Sequence, residues 1–83
     1  MKRNLIAIAP DGSEVSRRTH RSYSHVVVFK RPGLDWEAYS WSSRLDLAEK
    51  NVNKVRNWLG RNPEYLEGIA IVPVVNYNLH YVS

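Results

Sequence analysis

Between positions 17 and 31 the chain reads RRTHRSYSHVVVFKR, five cationic side chains and two histidines around three valines and a phenylalanine. Arg17, Arg18 and Arg21 each offer a planar fork of donors that fits a phosphate or a carboxylate. Lys30 adds a point charge and Arg31 a further fork. His20 and Tyr23 present rings on which an unpaired base can stack. Downstream, Tyr39 and Trp41 are the kind of aromatic anchor that protein interfaces set beside arginine. The chemistry of this set is non-covalent capture of an acidic partner. The plainer alternative is that cations flank a hydrophobic strand to keep it soluble and to block edge pairing. No glycine–aromatic strand motif, GXXG loop or zinc-ligand spacing accompanies the cations, so generic phosphate affinity is supported and base-sequence readout is not.

Covalent chemistry finds less support. Ser22, Ser24 and His25 lie close together, but no nucleophile elbow surrounds them, and no glycine-rich phosphate cradle occurs. Asp35 and Glu37 share a face if that stretch is extended; without a partner acid in a cleft they read as surface charge. His20 and His25 are five apart, which puts them on opposite faces of a strand, and His80 is remote. With no cysteine in the chain, neither a metal site nor a cofactor is expected, and the protein reads as a non-enzyme. His25 is expected to be a core residue whose ring bonds a serine or a backbone carbonyl.

Eighty-three residues allow one small domain, 1–83, with little room for a deep pocket. The apolar run LIAIA, residues 5–9, is too short for a signal-peptide core or a membrane span. The expectation is a soluble, unprocessed, cytoplasmic protein with no membrane partner. The net charge of +4 is concentrated at the front: residues 1–31 hold seven Lys or Arg against two acids, and the rest of the chain is close to balance. That asymmetry favours an acidic partner.

These side chains must be positioned by a short list of elements. Residues 4–10 read as a strand stopped by Pro10, followed by turn chemistry in PDGSE. VSRRTHRS reads as either a strand entry or an exposed loop. YSHVVVFK, residues 23–30, is the clearest strand, with Tyr23, His25, Val27 and Phe29 on the face better suited to the core. After RPG, residues 36–41 form a third strand, with Glu37, Tyr39 and Trp41 on one side and Trp36, Ala38 and Ser40 on the other. Residues 5–9, 24–30 and 36–41 then make an antiparallel meander. Leu45, Ala48, Val52, Val55 and Leu59 line one face of a helix, widened by Leu47 and Trp58, capped by Ser42 or Ser43 and closed at Gly60. The tail adds IAIVPVV, placed at an edge or a bulge because Pro73 cannot donate to a ladder, and NYNLHYV as a further strand or hairpin arm. The fold class is therefore α+β: an antiparallel sheet of four to five strands with one α-helix on one face, in the order β-β-β-α-β with room for a final strand.

Two stretches, APDGSEVSRRTHRSYSHVVV and YSWSSRLDLAEK, resemble small accessory proteins encoded by bacteriophages of actinobacteria, over residues 8–50. Such proteins pair an Arg-x-Tyr-x-His entry with a valine strand and run a tryptophan–serine segment into Arg-x-Asp-Leu-Ala. The resemblance implies a phage accessory protein at work in the bacterial cytoplasm by binding host macromolecules, and it assigns no role to any residue. The leading expectation is a non-catalytic accessory protein that binds a host or phage protein through Arg17, Arg18 and Arg21 with Tyr39 and Trp41. The alternatives are a nucleic-acid-binding protein using the same cations on phosphates, and a homo-oligomer formed by edge pairing of the C-terminal strand.

Overall fold

The computed structural model describes residues 3–60 and 64–75. Five strands and one helix follow one another: β1 (Arg3–Ile8), β2 (Glu14–Thr19), β3 (His25–Lys30), β4 (Glu37–Ser42), α1 (Leu45–Leu59) and β5 (Gly68–Val75). The α+β class with one helix on an antiparallel sheet is as expected, but four strands precede the helix rather than three. The additional strand is β2, made by the polar stretch EVSRRT. It pairs with β1 along its whole length, from Arg3 opposite Thr19 to Ile8 opposite Glu14. Residues 76–83, where the sequence places a last strand or hairpin arm, lie outside the described residues.

The sheet order is β2-β1-β5-β3-β4, which overturns the expected meander. β1 and β3 are not neighbours; β5 lies between them, antiparallel to both. Among the described residues β5 is thus interior, not at the sheet edge where Pro73 was expected to place it. Pro73 tolerates this position for a local reason. It stands opposite His25, and the adjacent Val74 N–H donates to the Ser24 carbonyl at 2.9 Å. Pro73 and His25 are therefore a non-hydrogen-bonded pair, and the donor that proline lacks would have pointed away from β3. On that side, β5 pairs with β1 only through Val74 and Val75 among the described residues.

Both faces of β3 are buried, not one. Val27 and Phe29 pack with Ala48 and Val55 beneath α1, joined by Val52, Leu59, Leu66, Ile69 and Ile71. Val26 and Val28 pack on the other face with Ala7 and Val72. Among the described residues no helix covers that second cluster; Val15, Trp36, Trp41, Ala70 and Val74 pack against it. Three successive fully buried valines are what a two-sided core demands of a central strand.

The turns follow from local chemistry. In the β1–β2 hairpin the Asp11 carboxylate accepts from the Ser13 hydroxyl (2.6 Å) and N–H (3.0 Å). These bonds hold its carboxyl below the usual carboxylate range, the hydroxyl contributing most. Leu34 N–H bonds the Arg31 carbonyl at 3.0 Å, with Pro32 and Gly33 between them. Gly33 takes φ 79, the left-handed position that this turn requires after proline.

Two local expectations fail around β4 and α1. A register shift between Val27 and Val28 leaves Tyr39 as an extra residue between Ser40 and Ala38. This bulge breaks the simple alternation. Tyr39 turns to the helix side, against Phe29 and Trp58, whereas Trp41 packs on the opposite face. Trp36, outside the strand, joins Trp41 there instead of facing away from it. Neither Ser42 nor Ser43 caps the helix: Arg44 is the N-cap, and its side chain makes no capping bond. The helix starts later because Ser42 is buried as the last residue of β4. Leu45, expected on the apolar stripe, is then half exposed at the first turn. Gly60 ends the helix with φ 76, a positive value that suits glycine.

Candidate functional site

Strand alternation splits the expected basic patch. Leu5 stands opposite Arg17 and Asn4 opposite Arg18, so the two arginines emerge on opposite faces of β2. His20 is exposed at the start of the β2–β3 loop. Lys30 and Arg31 lie at the far end of β3, each committed to a carboxylate: Lys30 to Glu67 at 2.7 Å and Arg31 to Glu37 at 2.8 Å. The Arg31 guanidinium also lies 5.6 Å from the centre of the Phe29 ring. Tyr39 belongs to that same end, in an aromatic group with Phe29 and Trp58. No single surface joins Arg17, Arg18 and Arg21 to both Tyr39 and Trp41.

The structure does bring Arg17, Arg21, Tyr23 and Trp41 together. Thr19 is buried at the end of β2, and its hydroxyl accepts from the Arg21 N–H at 3.1 Å, which fixes the start of the loop. The Arg17 guanidinium lies 5.5 Å from the Tyr23 ring centre, within cation–π range. Tyr23 in turn lies 6.5 Å from Trp41, with the rings tilted by 52°. Ser24 ties this loop to the β4–α1 connection. Its N–H bonds the Ser42 carbonyl at 2.9 Å and its hydroxyl donates to the Ser43 carbonyl at 2.9 Å.

The helix completes the site. Leu47, Lys50, Asn51 and Lys54 follow at spacings of three, one and three, one stripe of a helix. Asn51 Nδ2 donates to Ser42 Oγ at 3.4 Å, holding this flank beside the end of β4. Together Arg21, Tyr23, Trp41, Ser42, Ser43 and the helix stripe line an open cleft of about 340 Å³. No acidic side chain among the described residues lines it. Ion pairs among the described residues are Lys30–Glu67, Arg31–Glu37 and Arg44–Asp46; none uses Arg17, Arg21, Lys50 or Lys54. Two other clefts of about 330 and 350 Å³ each set a glutamate, Glu67 or Glu49, alongside Arg56, so their charges offset.

Lys50, Asn51, Lys54 and Leu47 are missing from the sequence-derived set. Their signal was present: two lysines four apart, interleaved with Leu47 and Asn51 on one stripe, distinct from the acid-bearing flank with Glu49. Finding it required knowing that this stripe borders the β2–β3 loop, which depends on the sheet order.

The Ser24–His25 pair is structural in its geometry. Ser24 Oγ lies 2.7 Å from His25 Nδ1, but its one hydrogen goes to the Ser43 carbonyl. While the hydroxyl donates to that carbonyl it cannot also donate to the imidazole, the bond that nucleophile activation requires. His25 is half-buried, and its serine bond is the one expected for it. No group of three or more metal-ligating side chains forms among the described residues, and none of their helices is long and apolar enough to cross a membrane. The chain matches no protein-family model, no curated protein and no solved structure.

Proposed function

We propose that this protein is a non-catalytic binding module that holds a nucleic-acid strand by its phosphates, in the bacterial cytoplasmic setting implied by its resemblance to phage accessory proteins. The observation that carries the reading is the cleft itself: Arg21, Lys50 and Lys54 around two aromatic rings with no carboxylate in the lining, and Arg17 stacked behind Tyr23. Like-charged side chains gathered without counter-charges create a potential that an anionic chain relieves. Arginine forks, lysine point charges and aromatic faces are what non-specific strand binding uses. Lys30 and Arg31 drop out of the binding set because carboxylates already neutralise them.

The test is fluorescence anisotropy of labelled DNA and RNA oligonucleotides across a salt series. Four phosphate contacts give a log–log slope of about −2.8 for a single strand, or roughly 50-fold weaker binding at 200 mM than at 50 mM salt. Absence of binding to either nucleic acid at low salt overturns the proposal. A second reading, contact with a protein, is favoured by a separate observation at the far end of the sheet. Trp58 and Tyr39 are 58% and 38% exposed, with ring centres 6.4 Å apart, beside edge strand β4. Paired exposed aromatics near an arginine have the composition of an interface hot spot. For a second copy of the chain as the partner, sedimentation should show concentration-dependent association that Trp58→Ser abolishes; a monomer at every concentration removes the homo-oligomer.

A further inference from the structure

We infer, resting on the nucleic-acid reading, that the cleft is built for a single strand and that one unpaired base stacks on the Trp41 indole while the backbone runs from Lys54 and Lys50 towards Arg21 and Arg17. Three features carry this. First, α1 is pressed to the sheet through Ala48 and Val55, both fully buried, so it offers the cleft only a flank. The cleft therefore meets a ligand with one edge of the helix and with aromatic rings, not with the base-reading face of a helix laid in a major groove. Second, the cleft of about 340 Å³ has the size of one nucleotide unit, not of a base pair with both its strands. Third, aromatic side chains line the same cleft as the cations, and stacking is open only to a base released from pairing.

The ring geometry selects the platform. Tyr23 and Trp41 are 6.5 Å apart and tilted by 52°. A base inserted between them would need parallel rings about 7 Å apart, twice the ~3.4 Å base spacing. Arg17 already occupies a face of Tyr23. That leaves the cleft side of Trp41 for the base, with Tyr23 buttressing the indole and Arg17 placed to meet the next phosphate. Lys50 and Lys54 are one helical turn, about 6 Å, apart along the axis, a stride suited to successive phosphates of an extended strand.

The test compares three labelled probes of equal length on the intact protein: oligothymidylate, the same backbone with abasic positions, and a hairpin duplex. Stacking of one base predicts that oligothymidylate binds about 5- to 150-fold more tightly than the abasic strand, and more tightly than the duplex. Trp41→Leu should reduce oligothymidylate affinity to the level of the abasic strand. Because Trp41 also packs on the core, Tyr23→Leu serves as a second variant, and circular dichroism confirms the fold of each. Equal affinity for thymidylate and abasic strands overturns the stacking inference while leaving phosphate capture standing. Preference for the duplex overturns the single-strand assignment. Failure of all three probes removes the underlying reading as well.

Discussion

The second core cluster, on the sheet face opposite α1, can be attacked at one point. Gly68 lies opposite Lys30 in the β3–β5 ladder, under the six-membered ring of Trp36. A Cβ added there would sit 2.9 Å from Trp36 Cη2 and 3.3 Å from Cζ2, against an ordinary carbon–carbon contact of about 3.5–4.0 Å. The Gly68 backbone itself is no obstacle, since its φ is not positive. In Gly68→Ala the indole must therefore shift by at least half an ångström or swing towards solvent. Overpacking of this kind costs about 1–3 kcal/mol. Replacing glycine also stabilises by about 0.4–1 kcal/mol through the unfolded chain. The net expectation is a loss of about 1 kcal/mol, or a melting temperature lower by about 4–8 °C for a domain of this size.

Urea denaturation followed by tryptophan emission measures both consequences. The midpoint should fall, and the native spectrum should shift to the red as Trp36 gains water. A thermodynamic cycle isolates the cause: in a Trp36→Leu background the obstructing ring is absent, so Gly68→Ala should become neutral or stabilising. An undiminished penalty in that background, or a wild-type midpoint with an unshifted spectrum in the single variant, would refute the claim that Trp36 seals this face by lying on Gly68.

Further outcomes follow from the same structure. Val55→Ala removes two carbons from a fully buried site beneath β3 and should cost about 2 kcal/mol in chemical denaturation. Lys50→Ala with Lys54→Ala alters two exposed side chains; stability should hold within about 0.5 kcal/mol, while the salt slope of strand binding should flatten by about 1.4. Asp11→Asn tests the first hairpin. The Asp11 carboxyl is held below its ordinary value of 3.8, so its contribution is complete above that pH and is lost as pH falls through the folded-state value. The stability gap between wild type and variant should therefore hold above pH 3.8 and narrow as pH falls below it, and a constant gap would count against it.

The elements that were readable from the sequence are those whose burial is one-sided or complete. Ala48, Val52, Val55 and Leu59 repeat with helical spacing because one face of α1 meets the sheet, and the valine run of β3 stands out because it is central. β2 was ambiguous for the opposite reason. It is an edge strand whose side chains, apart from Val15 and Thr19, are polar and exposed, so no alternation marks it. Pro73 misdirected the placement of β5: proline is barred from interior strands only where its missing donor would be used, and pairing geometry is not written in composition. The bulge at Tyr39 is likewise silent, since an unpaired residue changes the facing of its neighbours without changing their identities. For the cleft, Arg17, Arg21, Tyr23 and Trp41 were legible as types. Separating them from Arg18, Lys30 and Arg31 needed the register of β2 and the positions of Glu67 and Glu37.

The location of the cleft follows from how this small sheet completes its two cores. One helix can cover only one face, and α1 contacts β4, β3 and β5 but leaves the other face to side chains. Trp36 and Trp41 fill that role because an indole shields a large area from a single position. The residues that seal the second face are therefore aromatic and lie at its margin, where they remain partly accessible. The basic β2–β3 loop and the lysine flank of α1 meet at the same margin, tied there by Ser24 to Ser43 and by Asn51 to Ser42. Trp41 thus belongs to the packing and to the binding surface together. A strand that contacts it should stabilise the native state by linkage, since the indole is presented to the cleft only while it remains packed over Val26.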